Sequence, residues 1–335
     1  MVRRGDEVMR RCALLVVAVG VFAAASPAWA TFPGKDGPLV FSGVDPVSSS
    51  VQVYRLSPAG GAPTQLTATV LPGAVWNECP AWSAEGRQIY FDSVDRSTTN
   101  PAHIYRIDAT GGSLSLADSP DAPTHLCPTV SRSGTEIAAI EYRDDGSEGI
   151  VRMQADGTDP RIVAAAAPNQ DNYAPHFSPT GSRILFNEVT YKDNAIERAD
   201  LVIVNPAGHE KNLTRKDNAQ YFTPSWSPDG DTILAGRGAA QDEIVRMSAG
   251  GSNVHVLAKV PDGATVSSPT FSPDGSKIAY TQCPAQQDCG DPDLPGRGSV
   301  WLMNANGSHV ERILDGATAG VSPDGSSLDW GVSAP

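Results

Sequence analysis

The sequence predicts an all-β protein, a six-bladed β-propeller whose blades each contain four antiparallel strands. Two observations predict this fold: a hairpin motif that recurs at a nearly constant interval, and a second series of glycine turns that recurs in step with it. The hairpin motif occurs in five similar segments, which begin at Cys79, Cys127, Ala174, Thr223 and Ser268. Their turn glycines are 48, 47, 49 and 45 residues apart, at Gly86, Gly134, Gly181, Gly230 and Gly275. Such a period marks a propeller or a stacked repeat.

Each motif describes two strands joined by a tight turn. The first strand starts at a proline and carries one large or apolar residue, for example Trp226 or Phe271. Proline is acceptable there because it stands at the start of a short buried strand, where no N–H donor is needed. In Ser272-Pro273-Asp274-Gly275, proline fixes φ and glycine accepts a positive φ, so a hairpin turn is expected.

The third and fourth strands follow from a second repeated pattern. Short apolar segments predict six third strands at 53–56, 104–107, 150–153, 201–204, 244–247 and 300–303. A glycine stands at the same distance after each of them, at Gly60, Gly111, Gly157, Gly208, Gly251 and Gly307. A fourth strand is expected after these turns, as at Arg161-Ile162-Val163. No segment after the first 30 residues has a helical period.

The two ends of the chain are expected to share the first blade. The first unit starts at Lys35 and lacks a first strand of its own. A further Ser-Pro-Asp-Gly at Ser322 comes too soon after the third strand at Trp301, whereas Trp330 stands at the expected distance. We therefore expect segment 328–331 to be the missing strand, which closes the ring by pairing with the N-terminal strands, and the sequence at Ser322 to be a loop.

The first 30 residues have the features of a secretory signal peptide. Arg10 and Arg11 precede an apolar run that ends in Ala28-Trp29-Ala30, a small-x-small cleavage site. We expect cleavage near Ala30, a secreted or periplasmic protein, and a single propeller domain over residues 31–335. No other stretch approaches the roughly 20 apolar residues of a membrane span.

Charge and cysteine content limit the possible partners. The formal net charge is −13, which repels phosphate backbones and argues against binding of nucleic acid. In an exported chain the four cysteines after the leader can form disulfides. Cys283 with Cys289 is the favoured pair, and Cys79 with Cys127 requires Cα atoms within about 7 Å. Neither their spacing nor the rest of the sequence predicts a zinc site, a cofactor or a catalytic set.

At the residues Pro-x-Trp/Phe-Ser-Pro-Asp-Gly-x-x-Ile-Ala and the later glycine turns, the chain resembles the TolB-like six-bladed propellers, whose units are called PD40 or WD40-like repeats. The resemblance covers residues 32–335 and implies the fold. TolB also has an N-terminal α/β domain that contacts other envelope proteins. We expect the propeller here to start directly after the cleavage site without that domain, so the Tol-Pal role does not carry over. Related propellers precede the hydrolase domain of prolyl oligopeptidases, but the sequence contains no G-x-S-x-G motif.

Strand alternation places the hairpin turns on one face of the ring and loops of variable length on the other, at 67–78, 93–102, 164–173, 189–199, 214–222 and 282–298. Binding sites usually lie in such loops on a rigid scaffold. The expected ligand or partner face lies where these loops meet the first strands, at Trp76, Asn77, Glu78, His125, Asp171, Asn172, Tyr173, Gln220 and Tyr221. This mix of aromatic, amide and charged groups suits a protein segment or a small polar ligand.

Two functions fit this face. The preferred one is a non-enzymatic propeller that binds a protein segment or an envelope component. The alternative is a channel-mouth enzyme, such as a metal-dependent lactonase, lyase or hydrolase, in which Glu78 and His125 share a metal or act as acid and base.

Overall fold

The computed structural model describes residues 32–45, 50–67, 75–95, 100–143, 146–193, 195–261, 263–284, 298–319 and 321–334. Within these residues the chain forms 24 strands and one short helix. In chain order they are β1 (Asp36–Asp45), β2 (Ser50–Leu56), β3 (Thr64–Gln65), β4 (Val75–Trp82), β5 (Gln88–Asp95), β6 (His103–Asp108), β7 (Ser115–Leu116), β8 (Thr124–Val130), β9 (Glu136–Tyr142), β10 (Glu148–Gln154), β11 (Arg161–Ala165), β12 (Gln170–Phe177), β13 (Ile184–Lys192), β14 (Ala195–Val204), β15 (Glu210–Asn212), β16 (Tyr221–Trp226), β17 (Thr232–Arg237), β18 (Glu243–Ser248), β19 (His255–Lys259), β20 (Thr265–Phe271), β21 (Lys277–Cys283), β22 (Ser299–Asn304), β23 (Glu311–Asp315), α1 (Gly316–Ala319) and β24 (Ser322–Val332).

The strands form six four-stranded antiparallel sheets, one for each blade, as the sequence predicted. Blade 1 has the order β24-β1-β2-β3, and blades 2 to 6 each use four consecutive strands, so the innermost strands are β24, β4, β8, β12, β16 and β20. In blade 1, Leu39 pairs with Trp330. The C-terminal strand therefore closes the ring on the N-terminal one, which confirms the predicted closure.

The core lies between the blades. Six clusters of buried side chains are found, and each contains residues from two neighbouring blades. One of them joins blades 1 and 2 through Val40, Leu66, Trp82 and Phe91. Because every blade shares a cluster with each neighbour, apolar burial links the whole ring, including blade 1, in which the two ends of the chain meet.

The turns have the backbone that the glycine pattern predicts. The hairpin glycines have φ between +66° and +72°, and the glycines after the third strands have φ between +78° and +85°. Only glycine takes these angles at little cost.

Two segments differ from the sequence expectation. Ser322 and Pro323 pair with Val44 and Gly43, so this Ser-Pro-Asp-Gly copy lies in a strand and not in a loop. Much of 189–199 is also strand, since β13 and β14 pair as far as Lys192 and Ala195. In both places, antiparallel pairing with a long neighbouring strand outweighs the local turn signal.

Candidate functional site

The central channel is narrow and is lined by the innermost strands of all six blades. In blades 2 to 6 each innermost strand contains a bulge at an X-Pro pair, and the residue before proline has φ between +44° and +50°. These residues are Cys79, Cys127, Ala174, Thr223 and Ser268. The cavity at this level measures about 60 Å³, which has room for a few water molecules but not for a substrate of ordinary size.

Phe32 occupies the end of the channel on the hairpin face. Its side chain lines the cavity and is 4% exposed. The following segment is fixed to a hairpin turn, because the N–H of Gly34 donates to the carbonyl of Pro273 at 3.4 Å.

Strand alternation divides the nine predicted site residues into two groups. Side chains facing the neighbouring blade are buried: Asn77, His125, Asn172 and Tyr221. The other five side chains, on the opposite side of the strands or at their start, are partly exposed: Trp76, Glu78, Asp171, Tyr173 and Gln220. Phe222, which follows Tyr221 in the same predicted segment, has the same position in blade 5 as Glu78 and Tyr173 and is also partly exposed. With Phe222 the partly exposed group, which we expect at the channel mouth, contains three aromatic side chains and two carboxylates.

The buried group connects blades. Asn77 donates from Nδ2 to Gln52 Oε1 of blade 1 at 3.0 Å. Tyr221 donates its hydroxyl hydrogen to Asp217 Oδ2 at 2.5 Å, and its carbonyl accepts from Asn187 Nδ2 of blade 4 at 2.7 Å. Burial, followed by the contact with Asp217, raises the pKa of Tyr221 to about 12.

His125 lies at the centre of a buried charged cluster between blades 2 and 3. It is 1% exposed, and its Nδ1 and Nε2 lie 3.1 Å from Asp118 Oδ2 and 3.1 Å from Glu141 Oε2, respectively. Burial alone would lower the pKa of His125, but the hydrogen bonds with Asp118 and Glu141 outweigh it and raise the pKa. The hydrogen bond with His125 is the main reason why the pKa of Glu141 is lowered.

This pairing bears on the suggested role of His125 with Glu78. Both ring nitrogens of His125 are engaged by carboxylates other than Glu78. Asp118 also accepts the backbone N–H of Ile104 at 3.1 Å, in the way that Thr67 Oγ1 accepts the N–H of Val53 in blade 1. The imidazole therefore links Asp118 of blade 2 to Glu141 of blade 3 in this structure.

A second cluster, which the sequence analysis did not find, lies between blades 3 and 4. Glu148 Oε1 accepts the backbone N–H of Asn172 at 2.6 Å. Burial, together with the neighbouring carboxylate of Asp171, raises the pKa of Glu148 to about 7, although the backbone hydrogen bond from Asn172 acts in the opposite direction. The hydroxyl of Tyr173 donates to Asp171 Oδ2 at 2.7 Å and lies 3.2 Å from that of Tyr191. No sequence motif joins these residues, because they come from three different strands.

One further ring of residues faces the channel, each directly before the large apolar residue of its innermost strand. Those that line the channel cavity are Asp329, Ala81, Thr129, His176 and Ser225, and Thr270 has the equivalent position in blade 6. Asp329 accepts backbone N–H groups of Trp82 at 2.8 Å and Trp330 at 2.9 Å, and burial raises its pKa to about 6. Burial lowers the pKa of His176 to about 4, so this imidazole is neutral at pH 7.

Cys79 and Cys127 are joined by a disulfide that links blades 2 and 3, with their Cα atoms 4.7 Å apart. The sequence allowed this pair but favoured the other one. Cys283 is disulfide-bonded, and Cys289, the partner predicted for it, lies outside the described residues. Among the described segments, no helix is long and apolar enough to cross a membrane.

No protein-family model matches the chain. An uncharacterized protein of Agrobacterium fabrum is 25% identical over 243 residues, which are 71% of this chain and 76% of that protein. Among solved structures, a putative TolB from Agrobacterium tumefaciens has a TM-score of 0.58 and 20% identity, over 88% of this chain and 96% of the other. TolB from Acinetobacter baumannii has a TM-score of 0.63 and 16% identity, over 96% of this chain and 73% of the other. At these identities the similarity confirms the TolB-like propeller fold.

Proposed function

We propose that this chain is an exported, non-enzymatic β-propeller that binds a protein segment or another component of the cell envelope through its loop face and channel mouth. The observation that carries the proposal is the composition of the mouth, where the partly exposed aromatic side chains of Trp76, Tyr173 and Phe222 accompany the carboxylates of Glu78 and Asp171.

Aromatic side chains at a rigid rim can provide large contact areas at a low cost in conformational entropy. The carboxylates add a preference for a cationic partner, and the formal net charge of −13 strengthens it at longer range. The mouth is therefore suited to a segment that carries aromatic or apolar residues together with Lys or Arg.

The channel itself supports binding at the rim. Its cavity of about 60 Å³ is too small for a substrate of ordinary size, and Phe32 occupies the end at the hairpin face. A partner is expected to lie across the mouth rather than to pass into the channel, with its contacts spread over the loops of several blades.

Export is the part of the proposal that rests on sequence. The leader at 1–30 lies outside the described residues, and its features imply cleavage near Ala30 and a secreted or periplasmic location. Sequencing the N-terminus of the protein isolated from its own cells should give Thr31 as the first residue, whereas an intact leader on the bulk of the protein would contradict export.

The binding function is tested by affinity capture from an extract of the cell envelope. The immobilised protein should retain a specific component, and the double variant Trp76→Ala, Tyr173→Ala should retain at least about tenfold less, as expected for loss of two interface anchors. The matched control is Thr180→Ala, Asp229→Ala, which changes two exposed positions of hairpin turns. Equal retention by the two double variants, or no specific component, would contradict the proposed function.

A further inference from the structure

The wall of the channel between blades 2 and 3 brings together two cysteines and one carboxylate. The Sγ atoms of Cys79 and Cys127 and a carboxylate oxygen of Asp92 all lie within 4.8 Å of one another, and no other such group of three occurs among the described residues. We propose that reduction of the Cys79–Cys127 disulfide turns this group into a zinc site, a role separate from partner binding at the mouth.

The distances suit zinc once the sulfur atoms are free. Zinc is bound by thiolate sulfur at about 2.3 Å and by carboxylate oxygen at about 2.1 Å, so its tetrahedral ligands are roughly 3.4 to 3.8 Å apart. The sulfur atoms are about 2.0 Å apart in the disulfide and must separate by up to about 2 Å to reach that spacing, which rotation of the two cysteine side chains can supply. The carboxylate oxygen already lies within 4.8 Å of both. The adjoining cavity of about 60 Å³ leaves room for a water molecule as fourth ligand.

The backbone holds two of the ligands in position. Asp92 Oδ1 accepts the N–H of Cys127 at 2.8 Å, and Ser42 Oγ accepts the N–H of Cys79 at 3.0 Å. Asp92 Oδ1 is thus fixed by the same residue whose sulfur would bind the metal. Such hydrogen bonds around a ligand orient it and increase metal affinity.

Comparison of the blades shows that the fold does not require these residue types. At the position of Asp92, the other blades have neutral residues, namely Ser42, Ile140, Asn187, Gly236 and Thr281. The hydroxyl of Ser42 in blade 1 accepts the N–H of Cys79 in blade 2, a bond equivalent to the one from Cys127 of blade 3 to the carboxylate of Asp92 in blade 2. Because Asp92 is 1% exposed, a carboxylate is an expensive choice where a hydroxyl suffices.

The backbone conformation at Cys79 and Cys127 does not require cysteine either. Ala174, Thr223 and Ser268 occupy the same place before proline with the same positive φ. Cysteine therefore occurs at this position only in blades 2 and 3, next to the carboxylate of Asp92.

The conversion balances as an ordinary thiol–disulfide exchange. A dithiol supplies two electrons and two protons to the disulfide and itself becomes a disulfide, which leaves Cys79 and Cys127 as thiols. Zinc then binds both sulfur atoms as thiolates, and the two protons pass to solvent. The oxidised form lacks thiolates and is expected not to bind zinc at this place.

The test uses protein in which Cys283→Ser and Cys289→Ser remove the other thiols. This protein is titrated with Co²⁺, a spectroscopic substitute for zinc, before and after reduction by a water-soluble phosphine, and circular dichroism is recorded in both states. We expect one equivalent of Co²⁺ with thiolate charge-transfer absorption after reduction and none before. Asp92→Asn should weaken binding at least about tenfold, and Cys79→Ser with Cys127→Ser should abolish it.

The control is Thr281→Ala, which changes the equivalent position of blade 6 and should leave Co²⁺ affinity unchanged. Absence of binding after reduction, or equal affinity of Asp92→Asn and the parent protein, overturns the proposal. Loss of the β-sheet dichroism on reduction overturns it as well, because the site requires blades 2 and 3 to remain packed together.

Discussion

Asp329 accepts a hydrogen bond from the backbone N–H of Trp82 at 2.8 Å, although the two residues are 247 positions apart in the chain. This bond joins the C-terminal strand of blade 1 to the innermost strand of blade 2. Burial raises the pKa of Asp329 to about 6 from 3.8. The folded protein therefore binds this proton more readily than the unfolded chain, so the contribution of Asp329 to stability increases as the pH falls from above 6 towards 4.

The first prediction concerns Asp329→Ala. The substitution leaves two backbone N–H groups without their acceptor, and we expect it to lower the free energy of unfolding by about 1–3 kcal/mol near pH 5. The loss should be smaller near pH 8, where the wild-type carboxylate is charged in a buried place. Urea unfolding at the two pH values measures the difference. Glu197→Ala, at an exposed position, is the control, and a loss that is larger near pH 8 would contradict the assignment.

Gly331 offers a second test of ring closure. A Cβ atom at this position would lie 2.5 Å from Cδ2 of the buried Trp82 indole. Gly331→Ala should therefore lower the free energy of unfolding by about 1–3 kcal/mol or more, as overpacking does. Gly112→Ala is the matched control, because nothing lies within 4 Å of its added Cβ. Thermal unfolding compares the two variants, and similar melting temperatures would show that β24 does not pack on Trp82 as described.

The hydrogen bonds of His125 with Asp118 and Glu141 predict that the contribution of His125 to stability decreases as the pH rises. The pKa of His125 is higher in the folded protein than in the unfolded chain. Its contribution to folding stability is therefore fully present below the unfolded pKa and is lost as the pH rises through the folded pKa. His125→Asn introduces the residue found at this position in blades 2 and 4. We expect it to lower the free energy of unfolding by about 1–3 kcal/mol near pH 6, since Asp118 and Glu141 keep His103 and Arg143 as partners but lose their hydrogen bonds with the imidazole.

The difference between His125→Asn and the wild type should become smaller as the pH rises, in urea unfolding over a series of pH values. His255→Asn, at an exposed position of β19, controls for loss of a histidine elsewhere. A difference for His125→Asn that stays constant with pH would show that the imidazole is not charged in the folded protein.

At Glu148, in contrast to His125, we expect a neutral substitution to stabilise the folded protein. Its folded pKa of about 7 means that the folded protein loses stability relative to the unfolded chain as the pH rises from about 4.5 through 7. Glu148→Gln retains an oxygen for the N–H of Asn172 and carries no charge. We expect it to be about 1 kcal/mol more stable than the wild type near pH 8 and equally stable near pH 5. Glu197→Gln should show no such gain, and a destabilised Glu148→Gln near pH 8 would refute the pairing with Asp171.

The fold could be predicted because its signals are local. Hairpin glycines such as Gly230 and third-strand glycines such as Gly208 mark backbone positions with positive φ, and their spacing counts the blades. Trp330 could be assigned to the closing strand because its distance from Trp301 matches the other blades. The Ser-Pro-Asp-Gly at Ser322 was misjudged as a loop, since its pairing with β1 depends on a strand nearly 280 residues away.

The site could be predicted only in part, because its contacts are not local. Three consecutive residues, Trp76 to Glu78, were assigned to one face, although alternation along a strand places Asn77 on the other side. His125 meets Asp118 and Glu141 only after blades 2 and 3 pack together. The sequence could not choose the disulfide between Cys79 and Cys127, because no sequence pattern gives the distance between the two blades.

Partner binding at the loop face is tested most directly by site-specific photo-crosslinking in the native cell envelope. A photoreactive phenylalanine is placed at Trp76 or Phe222 at the mouth, and at Asp229 in a hairpin turn as the control. We predict a discrete crosslinked species from each mouth position and none from Asp229. Crosslinking from Asp229 alone, or no discrete species from either mouth position, would contradict the account.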